Sequence, residues 1–112
     1  MAISIVGSGS QACTADGTVH TLDTETVAGI YVAMWNLEPA LKGDIFRCWV
    51  ETKVLTGDTA ATIFEGIYAN DLLANCIVQS PPVVSNFQLI MKISQATGTT
   101  RTIPWSLTLI AT

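Results

Sequence analysis

Ile45-Phe46-Arg47-Cys48-Trp49-Val50-Glu51-Thr52-Lys53-Val54 has the pattern of a half-buried β-strand. Taken at a period of two, Phe46, Cys48, Val50, Thr52 and Val54 fall on one side. Ile45, Arg47, Trp49, Glu51 and Lys53 fall on the other, so every charge in the stretch shares one face. Successive side chains leave a strand on opposite faces, and a half-buried strand therefore needs this alternation. A helix would mix the two sets, and the run is rich in the β-branched and aromatic residues that suit a pleated surface.

Working outward, residues 87–94 alternate in the same way. Phe87, Leu89, Met91 and Ile93 are expected to face a core; Gln88, Lys92 and Ser94 face away, with Ile90 the outer-face exception. In residues 102–110, Ile103, Trp105, Leu107 and Leu109 take one side and Pro104, Ser106, Thr108 and Ile110 the other. Pro104 has no N–H to give to a ladder, so its position is expected at an edge or a bulge. Residues 28–37 are apolar on both sides, with Ile30, Val32 and Met34 against Tyr31, Trp35 and Leu37. That pattern suits a strand covered on both faces, one by the core and the other by a subunit contact. Residues 61–69 form a further strand, and 19–24, 76–80 and 3–7 are shorter candidates.

The turns support hairpins. Thr56-Gly57-Asp58 separates two strands expected to pair antiparallel, and Ala96-Thr97-Gly98-Thr99-Thr100 is expected to do the same for the last two. Residues 37–44 have room for one helical turn. Gly7-Ser8-Gly9-Ser10 reads as a flexible joint. Residues 1–14 are thus expected to be a flexible N-terminal arm and 15–112 the folded domain. About eight short strands in one chain of this length indicate an all-β fold, an antiparallel β-sandwich, jelly-roll-like. The immunoglobulin alternative lacks its Cys-Trp-Cys spacing, since Cys48-Trp49 and Cys76 lie too close together.

Composition narrows the function. Of 112 residues, 49% are hydrophobic and 12% charged, against about 25% charged in an ordinary soluble domain. Either the exposed faces are dressed in Thr, Ser and Gln, or copies of the chain or a partner cover part of the outside. The net charge is −4, and the five basic residues (Lys42, Arg47, Lys53, Lys92 and Arg101) form no run. A nucleic-acid binder needs a basic stripe to neutralise phosphates, so nucleic acid is not an expected partner. Met1-Ala2-Ile3-Ser4 opens without a basic n-region or long apolar h-region. The long uncharged stretch 72–91 contains Pro81-Pro82 and six Asn, Gln or Ser side chains, so no membrane span is expected.

No constellation of catalytic residues is legible. His20 stands alone on an alternating polar run, and a catalytic His needs an orienting partner. Gly7-Ser8-Gly9-Ser10 lacks the order and context of a nucleophile elbow. Asp23 and Glu25 share a strand face and read as a charged edge that resists strand addition. Glu65, inside an apolar strand, calls for Arg47 or Lys53 across the hairpin. Cys13, Cys48 and Cys76 show no metal-ligand spacing. They are core hydrophobes, or two of them form a disulfide in a particle that matures outside the cell. No cofactor, metal, small-molecule substrate or enzymatic activity is expected. Trp35, Trp49 and Trp105 offer a carbohydrate-binding platform as one alternative. Trp49, opposite Phe46, Cys48 and Val50, is instead the leading candidate for an interface, where Trp is enriched, with Trp35 and Tyr31 on the two-sided strand beside it.

Three segments carry a family resemblance. Residues 43–57, built around Cys48-Trp49-Val50 and closing on Thr56-Gly57, resemble a pattern of small virion structural proteins of tailed bacteriophages. So do Ile67-Tyr68-Ala69-Asn70 and Thr97-Gly98-Thr99-Thr100-Arg101-Thr102-Ile103-Pro104-Trp105-Ser106. Together they cover roughly half the chain in the expected order. The resemblance implies a small sandwich displayed in many copies on a virion made in the host cytoplasm. Its most specific form is a capsid decoration (cement) protein, a homo-oligomer, trimeric by the resemblance, clamping neighbouring major capsid subunits. The arm, with Ile3 and Ile5, would reach a neighbour. A tail or head–tail joining subunit is the alternative.

Overall fold

The computed structural model describes residues 2–69 and 77–111. They form nine strands: β1 (Ala2–Cys13), β2 (Val19–Glu25), β3 (Gly29–Asn36), β4 (Ile45–Thr52), β5 (Ala61–Ala69), β6 (Ile77–Gln79), β7 (Val83–Ser85), β8 (Leu89–Thr97) and β9 (Arg101–Ala111). Every pairing is antiparallel. One sheet, A, runs β1-β9-β3-β6 with β7 also on β3; the other, B, runs β2-β8-β4-β5.

β6 and β7 are two halves of one strand. β6 pairs with residues 34–36 of β3 and β7 with residues 29–31. Pro81-Pro82 interrupts the ladder between them, because proline has no N–H to contribute. Ser80 spans the gap: its N–H donates to the Ala33 carbonyl at 2.8 Å and its Oγ accepts from the Ala33 N–H at 3.0 Å. Counting that pair once gives the eight-strand jelly roll, two sheets with the chain crossing between them at nearly every connection.

The alternation in residues 45–54 holds in β4. Phe46, Cys48 and Val50 lie in the core with Leu89, Met91 and Ile93 of β8. From sheet A come Tyr31, Ala33, Trp35, Ile103 and Leu107. β4 and β5 form the expected hairpin, with Trp49 opposite Glu65 and Arg47 opposite Ile67. Pro104 lies on β9 just beyond Trp105, where the ladder with β3 ends.

Three expectations need correction. Residues 2–13 are not an arm: β1 pairs with β9 from Ala2 to Cys13. A Cβ on Gly7 would run into the Asp23 carboxylate and lie 3.3 Å from the Trp105 ring. One on Gly9 would sit 3.4 Å from the same indole, so these glycines are packed and form no joint. Second, β8 and β9 do not form a hairpin, because β8 lies in sheet B and β9 in sheet A. The connection is a corner between sheets, tied by the buried carboxylate of Asp44. Its Oδ1 accepts from the Thr99 N–H at 3.1 Å, and its Oδ2 from Arg101 Nε at 2.7 Å and the Leu41 N–H at 2.8 Å. Gln95 Nε2 donates to the carbonyls of Thr97 and Thr99, and Gly98 turns the corner at φ +102°, a conformation that favours glycine. Third, residues 37–44 hold two turns, closed by Ala40 N–H to Leu37 O and Asp44 N–H to Leu41 O, and no helix.

Candidate interaction surface

The three aromatic residues expected at an interface are interior. Tyr31 and Trp35 are fully buried on the inner face of β3, and Trp35 stacks on Phe64 with ring centroids 6.1 Å apart. The Tyr31 hydroxyl donates to the Val27 carbonyl at 2.6 Å. Period two separates the two sides of β3 without saying which is inside; the larger aromatic set took the core.

Trp49 does lie on the outer side of sheet B, yet only 2% of it is exposed. Charged neighbours roof it over. The Arg47 guanidinium stacks 3.9 Å from the ring centroid, and the indole Nε1 donates to Glu51 Oε2 at 2.9 Å. Lys92 pairs with Glu51 at 3.1 Å, and Arg47 reaches across to Glu65, the partner expected from the hairpin, though on the solvent side. Burial opposes the Glu51 charge, but the bonds from Trp49 and Lys92 prevail and hold its carboxyl below the usual range. Neither Trp35 nor Trp49 presents a face to solvent, which leaves Trp105, half-buried against the core, as the one exposed member of the expected carbohydrate platform.

Cys13 and Cys48 are buried, free thiols. Burial pushes Cys13 up to about 11, and burial with Cys13 nearby pushes Cys48 higher still. Such thiols are poor nucleophiles. Cys76 lies outside the described residues. His20 Nδ1 meets Gln11 Nε2 at 3.3 Å. Glu25 is held above the usual carboxylate range by burial and by its hydrogen bond and charge contact with Asp23.

Ile3 and Ile5 are exposed, at 71% and 68%, and they belong to a larger surface. On the outer side of sheet A, Ile3 faces Ile110 across the β1–β9 ladder and Ile5 faces Thr108. Ile110 then faces Ile30, Thr108 faces Val32 and Ser106 faces Met34. Val84 lies opposite Ile30, and Ile77 opposite Asn36; these two are 59% and 57% exposed. Two shallow clefts of about 200 and 370 Å³ open here, one between Met34, Ile77 and Pro104, the other between Ile30, Val84 and Ile110.

Among the described residues this face carries no charged side chain. Among the strands of sheet A the one charged residue is Arg101, which binds the buried Asp44. The strands of sheet B hold Asp23, Glu25, Arg47, Glu51, Glu65 and Lys92. The missing charge of the composition is therefore localised. An uncharged face on which exposed aliphatic side chains alternate with Ser, Thr and Asn is the kind of surface that marks a contact. The sequence offers Ile30, Val32 and Met34 as one of two sides of a strand with a core face and a contact face, without choosing between them, and it gives no sign of Ile77, Val84 and Ile110 as members. The signal that points to them is the charge content of each strand once strands are assigned to sheets.

No protein-family model and no curated protein matches the chain. A solved structure of the infectious bursal disease virus Gx strain resembles it with a TM-score of 0.48 at 13% identity, over 96% of this chain and 32% of that one. The chain thus spans about a third of the length of that one. The jelly-roll assignment rests on the strand order of the two sheets and not on that match.

Proposed function

We propose that the chain is a non-enzymatic structural subunit of a virion, a capsid decoration (cement) protein seated against major capsid subunits. The observation that carries this reading is the charge-free apolar outer face of sheet A, which the monomer leaves uncovered. Jelly rolls build viral capsid domains as well as lectins and cupins, so the architecture supports the reading by analogy alone. The resemblance of residues 43–57, 67–70 and 97–106 to small virion proteins of tailed phages supports it independently of the fold.

The mechanism is mechanical. Apolar surface covered at a seam contributes about 25 cal/mol per Å² before ordering costs. Many copies on one shell turn modest single contacts into firm attachment. The test is co-sedimentation of purified protein with capsids that lack it. Wild-type protein is expected to pellet with capsids and Val84→Lys, on the exposed outer face, to stay in the supernatant. Equal recovery of the two would remove the sheet A face from the reading, and no recovery of wild type would remove the capsid.

A further inference from the structure

A β-sandwich has four strand edges, and this one protects three. β2, an edge of sheet B, carries Asp23 and Glu25 and a bulge between Thr21 and Asp23. β5, the other edge of sheet B, carries Glu65 and a bulge opposite Val50 and Glu51. The far edge of sheet A is cut into two three-residue strands around Pro81-Pro82. Charge, bulges, proline and shortness are the devices by which sheets avoid joining other sheets.

β1 is the exception. It is 12 residues long, pairs among the described residues with β9 alone, and contains no proline and no ionisable side chain apart from the buried Cys13. Its one irregularity, between Ile5 and Gly7, leaves an unbroken register from Gly7 to Cys13. Ser8, Ser10 and Ala12 there are small, and Ile3 and Ile5 beyond the bulge are exposed.

Charge selects the occupant. Each copy carries a net −4, so two copies repel over most of their surface. Meeting by β2 would bring Asp23 and Glu25 of both copies together. β1 sets no charge of its own against its copy; the Asp23 carboxylate of β2 lies behind Gly7. An oppositely charged partner would gain nothing at β1, because nothing there attracts it. We infer that β1 is a self-pairing edge: two copies join by antiparallel β1–β1 pairing about a two-fold axis, running sheet A continuously through both. The inference deepens the structural-subunit reading by naming the seam between copies, and it gives a pair in place of the trimer implied by resemblance. A strand of this length offers a seam of about 40 Å, and a sheet thickness of about 10 Å makes that about 400 Å² per copy at most. That is small for a specific interface, so association is expected to depend on concentration.

The experiment is sedimentation velocity across a concentration series on wild type, Ile5→Lys, Val84→Lys and Ile67→Lys, with tryptophan fluorescence confirming that each variant folds. Amide hydrogen exchange at low and high concentration accompanies it. Wild type, Val84→Lys and Ile67→Lys are expected to reach the mass of two copies and Ile5→Lys to remain at one. Protection gained with concentration is expected in β1 and not in β2 or β5. A wild-type mass of one or three copies would overturn the inference. So would dissociation by Val84→Lys, which marks a face-to-face pair instead. Capsid co-sedimentation is scored separately: a chain that binds capsids yet never pairs sinks this inference alone, and one that pairs without binding capsids sinks only the virion reading.

Discussion

Asp44 is a buried charge that holds a corner. Only 1% of it is exposed, and its carboxylate accepts from two backbone N–H groups and Arg101. Burial opposes its ionisation, but the bonds from Leu41, Arg101 and Thr99 win and its pKa is lowered. The folded value then lies below the unfolded one. Its stabilisation is present above the ordinary carboxylate range and is lost as pH falls through the folded value. Asp44→Asn is expected to cost about 2–4 kcal/mol at neutral pH, since it removes an ion pair and weakens charged hydrogen bonds. Urea denaturation should show that gap, and the two stability curves should converge in acid. Trp49 makes the opposite point: a residue chosen for an interface proves to be a packed one. Trp49→Ala is expected to lose about 3 kcal/mol in the same assay while leaving the sedimentation mass unchanged. A fall in mass with no loss of stability would return Trp49 to an interface.

At the scale of elements, β1 shows what sequence can and cannot display. Period two made β4, β5, β8 and β9 legible, because alternation is local and needs no knowledge of partners. In sequence β1 looks like an arm, because Gly7-Ser8-Gly9-Ser10 has the composition of a linker. What makes it a strand lies far away in sequence: the β9 ladder nearly a hundred residues later, with the Trp105 indole over both glycines and the Asp23 carboxylate of β2 against Gly7. The corner between β8 and β9 resembles a hairpin in sequence for a similar reason. Thr97-Gly98-Thr99 looks like a local turn, and the group that ties it, Asp44, is 55 residues away from Thr99. Apolar residues on both sides of β3 were legible as a two-sided strand, but not which side was the core. Gly9→Val is expected to destabilise by about 1–3 kcal/mol, the usual range for overpacking, seen as a lower denaturation midpoint. If the segment behaved as a flexible arm the midpoint would not move.

At the scale of the molecule, the decisive property is how charge is divided. A chain with 12% charged residues is not evenly depleted: among the described residues, sheet B and the loops carry nearly all of the charge, and the outer side of sheet A carries none. Two consequences follow for association through β1 and the neighbouring face. No attractive charge is there to be screened, while the repulsion between two copies of net −4 acts over the whole surface and is screened by salt. Raising sodium chloride should therefore strengthen self-association, and sulfate should strengthen it further by favouring burial of apolar surface. A seam built from the Arg47, Glu51, Glu65 and Lys92 face of sheet B would respond in reverse, because its ion pairs weaken as the ionic strength rises. Sedimentation of wild type in low salt, high salt and sulfate separates the two by the sign of the change. A midpoint concentration that falls along that series is the signature of the uncharged sheet; one that rises places the contact on sheet B.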